Sequence, residues 1–325
     1  MAGTGTDDLS VTDVPGYILG VTHKIWEERK VSSLDRHYAP DILVRSPAGI
    51  ARGNQRIIAA TMATMAEFPD RELFGEDVIW TDVGDGTGFS SHRLMCTATH
   101  LGPGAYGAPT GARLRYRILA DCHVTGDQID DEWLVRDQGA IVRQLGWTPR
   151  GYAIHLIQSE GGPARCVQPY HPGIDQAGPY CGTGNDDPWG AELAEILHRI
   201  MRADLAVIPE RYDHAAELNY AGGVTAHSFA GADRFWASLR SAFPNAAFEI
   251  LHQVGGAEPR LSPRAAVRWA LSGTHDGWGA FGEPSGAPVY VMGITHVEFG
   301  PRGVRREWTL IDEVAVWKQI VLATG

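Results

Sequence analysis

The sequence predicts an α+β protein built from two tandem copies of one unit. The clearest sign is a pattern that occurs twice, at 129–146 and at 304–321. In both stretches Glu-Trp is followed four residues after the Trp by Asp, and seven residues after that Asp by Gln. Within each copy, helical periodicity comes first and short alternating strands follow, which is the order expected of an α+β arrangement.

An offset of 175 residues brings many further positions of the two copies into register. The aligned pairs include Arg93 with Arg268, His100 with His275, Glu132 with Glu307 and Phe68 with Phe243. A period this long indicates two whole domains and excludes a solenoid of small repeats. We expect a first repeat at 14–147, a Gly/Pro-rich linker at 148–187 and a second repeat at 188–323.

Each repeat is expected to open with two helices. In the first helix, apolar residues recur at Ile18, Val21 and Ile25, which defines one helix face. The second helix, "NQRIIAATMATMAEF" or "ADRFWASLRSAF", runs into a Phe-Pro pair, where proline is expected to stop it. The stretches that follow alternate between polar and apolar residues and are separated by Gly-rich turns, which predicts an antiparallel sheet.

Composition excludes two classes of partner. The chain has 325 residues, a net charge of −11 and a pI near 5.6. Nucleic-acid binding depends on Lys and Arg neutralising phosphates, so an acidic chain without a basic cluster is a poor candidate, and the same charge disfavours anionic membranes. There is no apolar run near the ~18 residues that span a bilayer. The polar, acidic start lacks the build of a secretory signal, and we expect a cytoplasmic protein.

No metal or cofactor motif is found. Cys96 and Cys122 lie in strand-like runs and are expected to be small core residues, while Cys166 and Cys181 lie in a loop-rich segment. The last two could come close, but a reducing cytosol disfavours a bridge. Because Cys-x-x-Cys, paired-histidine, P-loop and Gly-x-Gly-x-x-Gly patterns are missing, we expect no metal and no cofactor.

Two stretches carry a family resemblance. "ATHLGPGAYGAPTGARL" and "GTHDGWGAFGEPSGAPV", each followed by a hairpin into Glu-Trp with Asp four residues on, resemble the SnoaL-like polyketide cyclases of the nuclear transport factor two-like superfamily. The resemblance implies a cone in which a curved antiparallel sheet wraps helices around one deep pocket. Cyclases of this family close a ring by intramolecular aldol chemistry without a cofactor, and relatives isomerise steroids, open epoxides or only bind ligands.

The resemblance also implies the catalytic residues. In the family an Asp acts as base and a His on the preceding strand assists, and the matching positions are Asp137 and Asp312 for the base and His123 and His296 for the histidine. The histidines do not repeat cleanly. Under the 175-residue offset His296 falls on Asp121, and it matches His123 only if a gap of two residues is allowed.

Strand alternation gives the acid a chemical reason to be there. Asp137 follows Trp133 by four residues, and Asp312 follows Trp308 by four, so acid and indole share one strand face. An acid on an apolar face loses hydration, which raises its pKa and suits a general base near neutral pH. The alternatives are an ion pair, since Arg136 adjoins Asp137, or a role in capping or ending the strand.

Six further side chains are candidates for substrate binding. They are Trp133, Trp308, His100, His275, Tyr38 and Arg45. The tryptophans are expected to form core or pocket wall. His100 and His275 lie at a turn. We expect their main role to be the organisation of that turn, and ligand contact to be the second. For the strand histidines the alternative is a hydrogen-bonded core position.

These observations favour a cofactor-independent enzyme of polyketide cyclase-like lyase or isomerase type. Its pocket Asp would remove a proton next to a carbonyl or activate water on a small or medium, oxygenated, apolar substrate. Cyclisation, isomerisation and hydration are all compatible with this site. The alternative is a small-molecule-binding or scaffold protein of the same fold. We also expect the two repeats to pair within the chain, and a homodimer is compatible with this. One repeat could be active while the other is kept for pairing.

Overall fold

The computed structural model describes residues 13–325, so most of the polar start used to predict the location lies outside the described residues. The first repeat contains α1 (Val14–Trp26), α2 (Leu34–His37), β1 (Tyr38–Ser46), β2 (Gly49–Arg52), α3 (Asn54–Glu67), β3 (Glu72–Gly84), β4 (Thr87–Thr99), β5 (Arg113–Thr125), β6 (Gln128–Arg136) and α4 (Gln138–Gln144). One helix, α5 (Pro149–Ser159), lies in the intervening segment. The second repeat contains α6 (Pro188–Met201), α7 (Val207–Arg211), β7 (Tyr212–Tyr220), β8 (Val224–His227), α8 (Phe229–Ala242), β9 (Ala247–Gly256), β10 (Arg264–Thr274), β11 (Pro288–Gly300), β12 (Gly303–Ile311) and α9 (Glu313–Thr324).

Each repeat forms one six-stranded sheet, and the two sheets have the same strand order. The orders are β2-β1-β6-β5-β4-β3 and β8-β7-β12-β11-β10-β9. The α+β fold of two similar units is therefore confirmed. The sheets are not purely antiparallel, because β1 pairs with β6 and β7 with β12 in parallel. The first and last long strands of a repeat run in the same direction after a long crossover, which is what a parallel pair requires.

The described residues cluster into two compact units whose limits differ from those of the repeats. The first contains the described part of Met1–Arg45 together with Ile50–Leu134 and Gln176–Cys181. The second contains Ser46–Gly49, Val135–Asp175 and Gly182–Gly325. Asp137, α4 and α5 therefore belong to the second compact unit, although the repeat pattern groups Asp137 and α4 with the first copy.

The opening helices form where the apolar stripe predicts them. Asp13 caps α1 by accepting a hydrogen bond from the backbone N–H of Gly16 at 3.0 Å, and Ile18, Val21 and Ile25 are buried. Helices α3 and α8 end one residue before a Phe-Pro pair, as expected. Helices α4, α5 and α9 were not predicted, since their short apolar patterns read as strand or linker.

The two faces of each sheet have different neighbours. In the first repeat Cys122, Val124 and Ile129 pack with the buried residues of α1. In the second, Trp269 and Ile311 pack with the buried residues of α6 and α8. We call this helix-covered side the inner face and the other side the outer face. Successive side chains of a strand point to opposite faces, so adjacent residues of β6 or β12 divide between them.

All four cysteines are free thiols, and the two in the strands are buried as expected. Cys96 and Cys122 are buried in the first repeat, and Cys166 and Cys181 are both free. Within 13–325, no helix is both long and apolar enough to cross a bilayer.

Candidate functional site

The two aspartates predicted as bases lie just past their strands and cap the following helices. The Asp137 carboxylate accepts backbone N–H hydrogen bonds from Ala140 of α4 at 2.9 Å, from Gly222 at 2.7 Å and from Gly223 at 2.9 Å. These hydrogen bonds satisfy backbone N–H donors that the start of a helix and a tight turn leave without a backbone acceptor. The geometry is that of the capping alternative, and it uses acceptor positions that a general base needs.

The turn that meets Asp137 depends on two glycines. Gly222 and Gly223 have φ of +84° and +72°, in the left-handed region that glycine adopts most readily. That conformation presents two successive N–H groups to one carboxylate. Asp312 repeats the cap on α9, where it accepts from the N–H of Ala315 at 3.0 Å.

Burial raises the pKa of both carboxyl groups, to about 6 for Asp137 and about 7 for Asp312. Asp137 and Asp312 are only 2% and 5% exposed, so the loss of hydration is the main cause of the raised pKa. The hydrogen bonds from backbone N–H groups stabilise the charged form and oppose that rise. A carboxyl group with a pKa near neutral pH can take up and release protons. Here the same carboxyl group also accepts the hydrogen bonds that cap a helix.

The raised pKa values predict how stability changes with pH. An unfolded Asp titrates near pKa ~3.9, so folded Asp312, with a pKa of about 7, holds its proton more tightly. The resulting stabilisation is complete below about pH 4 and is lost as the pH rises through about 7. In Asp312→Asn this part of the pH dependence should disappear. Urea denaturation of both proteins between about pH 4 and pH 8 measures it, and a constant difference in free energy of unfolding would contradict the expectation.

His123 and Trp133 lie on the outer face of the first sheet, where other side chains already engage them. The Nδ1 atom of His123 is 2.6 Å from Oδ1 of Asp130, and its ring stacks on Tyr180 with centroids 4.6 Å apart. Trp133 meets the edge of Tyr180 at 6.3 Å and lies 4.7 Å from the guanidinium of Arg45. Tyr180 thus covers two of the predicted site residues, and neither is on the helix-covered side.

Arg45 forms a buried ion pair on the same face. Its Nη1 donates to Oδ1 of Asp131, and its Nη2 donates to the carbonyl oxygen of Gln176 at 2.7 Å. The two paired side chains are 3% and 0% exposed. Burial raises the pKa of Asp131 and the Arg45 guanidinium opposes that rise. The pair gives Arg45 a structural task that sequence spacing did not reveal.

The strand register corrects the pairing of the two strand histidines. In β4–β5, Ser91 faces Asp121, and in β10–β11, Ala266 faces His296, with no shift in either ladder. His296 therefore corresponds to Asp121 without a gap, and His123 has no histidine equivalent. His296 is fully buried beside Trp308, its partner across the outer face of β11–β12.

The turn histidines organise their loops. The Nδ1 atom of His100 is 3.1 Å from Oγ1 of Thr110, and that of His275 is 3.0 Å from Oγ of Ser285. Both rings are fully buried, and burial lowers the pKa of His275. The same contact on the same loop in both repeats agrees with the predicted turn role.

Among the predicted site residues, Tyr38 lies on the inner face. It contacts Glu132, a carboxyl group that was not predicted as a site residue. Its phenol hydrogen-bonds to Glu132, which adjoins Trp133 but points to the inner face. Burial and the Glu132 charge raise the pKa of Tyr38 well above its usual range. Glu132 also acts on Cys122 of the neighbouring strand. The adjacent residues Glu132 and Trp133 of β6 thus lie on opposite faces of the sheet, with the carboxylate on the inner face and the indole on the outer face.

Further polar groups lie along the inner face of β4. Ser90 faces Cys122 in the ladder, and its Oγ is 3.4 Å from Nδ1 of His92. Burial lowers the pKa of His92 to about 4, so its imidazole is neutral at physiological pH. Ser90 and His92 are 0% and 5% exposed. Together with Glu132 and Tyr38, they form what we call the inner polar row of the first repeat.

Arg71 lies farther along the same interior. Its guanidinium is 4.0 Å from the ring of Trp26, and its Nε is 3.2 Å from the sulfur of Cys96. The residue is 4% exposed, and its Nη1 has no hydrogen-bond partner within the described part of the chain. A buried arginine is normally paired with an acid, and here the guanidinium instead hydrogen-bonds to the phenol of Tyr116 and to Cys96.

The equivalent acid of the second repeat is closed in. Oε2 of Glu307 accepts from the phenol of Tyr220 at 2.9 Å, and Oε1 accepts from Oγ1 of Thr309 at 2.6 Å. Glu307 is fully buried, and that burial raises its pKa. Its hydrogen-bonding capacity is thus largely used within the core of the second repeat.

The fold is that of an α+β protein in which helices cover one face of each six-stranded sheet and a buried carboxyl group lies on that face. A family model of SnoaL-like polyketide cyclase matches residues 17–145 and again 192–320. The chain therefore belongs to the SnoaL-like polyketide cyclase family. No curated protein matches it.

Solved structures resemble parts of the chain. IdmH from Streptomyces antibioticus is 23% identical over 42% of this chain and 99% of its own, with a TM-score of 0.36. AclR from Streptomyces galilaeus is 20% identical over 42% of this chain and 87% of its own, with a TM-score of 0.36. TsrD from Streptomyces laurentii is 19% identical over 42% of this chain and 96% of its own, with a TM-score of 0.35.

Proposed function

We propose that this chain is a cofactor-independent enzyme of cyclase or isomerase type that acts on a small or medium, oxygenated, mainly apolar molecule. The observation that carries the proposal is the carboxyl group of Glu132 on the inner face of the first sheet, hydrogen-bonded by Tyr38 beside apolar side chains. A carboxylate with little water around it and a fixed hydrogen-bond donor is suited to proton transfer from carbon. Family membership supports the same reaction class.

The proposed chemistry begins when Glu132 removes a proton from a carbon next to a carbonyl group. The C–H bond breaks, the proton passes to the carboxylate, and the electron pair moves onto the carbonyl oxygen as an enolate. A neutral His92 or the hydroxyl of Ser90 would donate a hydrogen bond to that oxygen as its charge grows. Attack of the enolate carbon on a second carbonyl of the same molecule closes a ring, and the alkoxide formed there takes the proton back from Glu132. Return of the proton to another carbon of the conjugated enolate isomerises the molecule instead.

The predicted bases, Asp137 and Asp312, form a second candidate. Their raised pKa values, about 6 and about 7, are near the optimum for a general base at neutral pH. Their hydrogen bonds to backbone N–H groups oppose the assignment, because lone pairs held by a helix end are not free to accept a substrate proton. The base role of these aspartates stays a prediction, and Glu132 is the candidate that the geometry favours.

The proposed function is testable without knowledge of the natural substrate. We expect the protein to accelerate deuterium incorporation at the acidic carbon of a bicyclic ketone such as 2-tetralone in D₂O, because that exchange needs only the first proton transfer. NMR measures the rate against buffer with an equal concentration of acetate as free carboxylate. Saturable ketone binding without faster exchange would contradict the enzyme and support the non-catalytic binding protein.

Three further sequence-based expectations stay predictions. These are pairing of the two repeats within the chain, formation of a homodimer, and a cytoplasmic location. A small-molecule ligand is the partner that the family supports. Sedimentation of the purified protein would test the oligomeric state directly.

A further inference from the structure

A groove lies where β10 ends and β11 begins, and part of its lining belongs to neither repeat. It encloses about 630 Å³, within the range of about 300–1,000 Å³ that is typical of small-molecule sites. The ends of β10 and β11 form its floor, the end of α9 forms one wall, and residues 168–172 of the intervening segment form the other. The family model matches 17–145 and 192–320, so this second wall is not part of the family fold.

Tyr290 of the floor is fixed by both walls. The side chain of Gln319 in α9 accepts from the Tyr290 N–H at 2.7 Å and donates to the Tyr290 carbonyl oxygen at 2.9 Å. The Tyr290 ring packs against Tyr170 of the other wall, with centroids 5.6 Å apart. Tyr170 is itself held, since its N–H donates to the carbonyl oxygen of Pro47 at 3.0 Å. The groove is therefore formed before any ligand enters, which lowers the entropy cost of binding.

The floor presents three side-chain hydroxyls that have no hydrogen-bond partner within residues 13–325, those of Ser272, Thr274 and Tyr290. Ser272 and Tyr290 are opposite each other in the ladder, and both point to the outer face because their neighbours Leu271 and Val289 belong to the inner core. Burial raises the pKa of Tyr290 to about 12, so its hydroxyl keeps the proton. Each hydroxyl can both donate and accept a hydrogen bond.

The lining carries no formal charge. Among the described residues that line the groove there is no Asp, Glu, Lys or Arg. His171 adds a neutral donor, because its Nδ1 accepts from the N–H of Gly173 at 3.1 Å and the proton of a neutral imidazole is then on Nε2. The first repeat differs here, since the 175-residue offset and both ladders place Arg115 at the position of Tyr290 and Arg113 at that of Pro288. An uncharged surface is thus particular to the second repeat.

We propose that this groove binds a neutral sugar ring. The hydroxyl groups of a sugar both donate and accept, which matches the three hydroxyls of the floor. Its C–H faces are apolar, and they match the apolar part of the walls, which includes Pro169, Pro172 and Leu322. A charged ligand would have no counter-charge in the lining, and a hydrocarbon would leave the floor hydroxyls without partners.

This site goes beyond the proposed function and does not depend on it. The proposed base, Glu132, lies on the inner face of the first sheet, whereas the floor of the groove belongs to the outer face of the second. Sugar binding should therefore be unchanged in Glu132→Gln. A protein that exchanges no deuterium into 2-tetralone but binds the sugar would refute the enzyme and leave the sugar site in place.

Saturation-transfer NMR tests the proposal. The probes are the methyl pyranosides of glucose, galactose and mannose, which are neutral and carry no apolar substituent beyond the methyl group. We expect saturable binding of at least one of them with a Kd of about 1 mM, the affinity usual for a molecule of this size. Ser272→Trp fills the groove from an exposed position and should abolish the signal. The matched control Thr97→Trp, at the equivalent position of the first repeat, should leave the Kd unchanged.

A milder variant protects the test from misfolding. Tyr290→Phe removes only the hydroxyl and keeps the ring and both backbone hydrogen bonds to Gln319. It should weaken sugar binding about threefold to tenfold, the effect of losing one hydrogen bond between neutral groups. Near-ultraviolet circular dichroism checks that each variant is folded. If Ser272→Trp fails that check, Ala323→Trp at the exposed end of α9 replaces it and should also abolish the signal.

Four results would overturn the proposal. They are no saturable signal from any of the three sugars, full binding in a folded groove-filling variant, equal loss of binding in Thr97→Trp, and an unchanged Kd in Tyr290→Phe. Resorcinol, a neutral phenol, is the comparison ligand. Binding of resorcinol by a protein that binds none of the sugars would assign the groove to hydroxylated aromatic molecules and refute the sugar site.

Discussion

Replacement of Glu132 by Gln is expected to lower the rate of ketone deuterium exchange by about 10²–10⁴-fold, the usual effect of losing a general base. Gln keeps the shape of the side chain and can still accept the hydrogen bond of Tyr38. It has no carboxylate to take the proton, so ketone binding should change little while the exchange rate at saturation falls. The measurement is the NMR exchange rate at several ketone concentrations, which separates the two effects.

The repeat supplies a matched control for this experiment. Glu307→Gln makes the same chemical change at the equivalent position of the second repeat, where the carboxylate is enclosed by Tyr220 and Thr309. We expect its exchange rate to equal that of the wild type. A full rate in Glu132→Gln would refute the assignment. If the rate falls instead in Asp137→Asn or Asp312→Asn, the predicted aspartates regain the role of base.

The second large effect concerns stability. Asp131→Ala is expected to lower the free energy of unfolding by about 3–5 kcal/mol, because it leaves the Arg45 guanidinium buried without its counter-ion. The two side chains are 3% and 0% exposed, so water cannot easily replace the lost partner. Asp131 also accepts from the backbone N–H of Tyr180 at 3.4 Å, and that donor would be left unpaired as well. Urea denaturation monitored by tryptophan fluorescence measures the change.

A double replacement separates the ion pair from simple packing. Arg45→Met combined with Asp131→Leu removes both charges and fills similar volume, so it should recover most of the lost stability. Equal destabilisation in the single and double variants would indicate that packing and not the unpaired charge is responsible. A loss below about 1 kcal/mol in Asp131→Ala would place the pair among weak, solvated ion pairs.

The fold could be predicted from the sequence because it is announced by an internal repeat and by signals that act over a few residues. The 175-residue offset, the helix stripe of Ile18, Val21 and Ile25, and the Phe-Pro stops all reappear in the structure. They do so because helix periodicity and the missing N–H of proline act over a few residues. The parallel pairing of β1 with β6 was beyond this reach, since the two strands are separated by more than 80 residues.

The site was harder to predict because both faces of the last strand in each repeat are buried. In β12, Glu307 on the inner face and Trp308 on the outer face are 0% and 5% exposed. A strand normally reveals its core side by alternating apolar and polar residues, and that signal is missing when neither side meets water. The prediction therefore placed the site on the outer face with Trp133, and it did not include the adjacent Glu132 on the inner face.

The sequence by itself determined the duplicated α+β fold and its opening helices. It also determined that each repeat carries a Glu before its Trp and an Asp four residues after it. Only the tertiary structure decided what each acid does. Asp137 caps α4 through the nearby Ala140, and the turn at Gly222 and Gly223, 85 and 86 residues along the chain, occupies its carboxylate further with two N–H groups. Glu132 became the candidate base because the helices cover its face of the sheet. Such assignments depend on which distant groups meet a side chain, and short-range patterns along the chain do not carry that information.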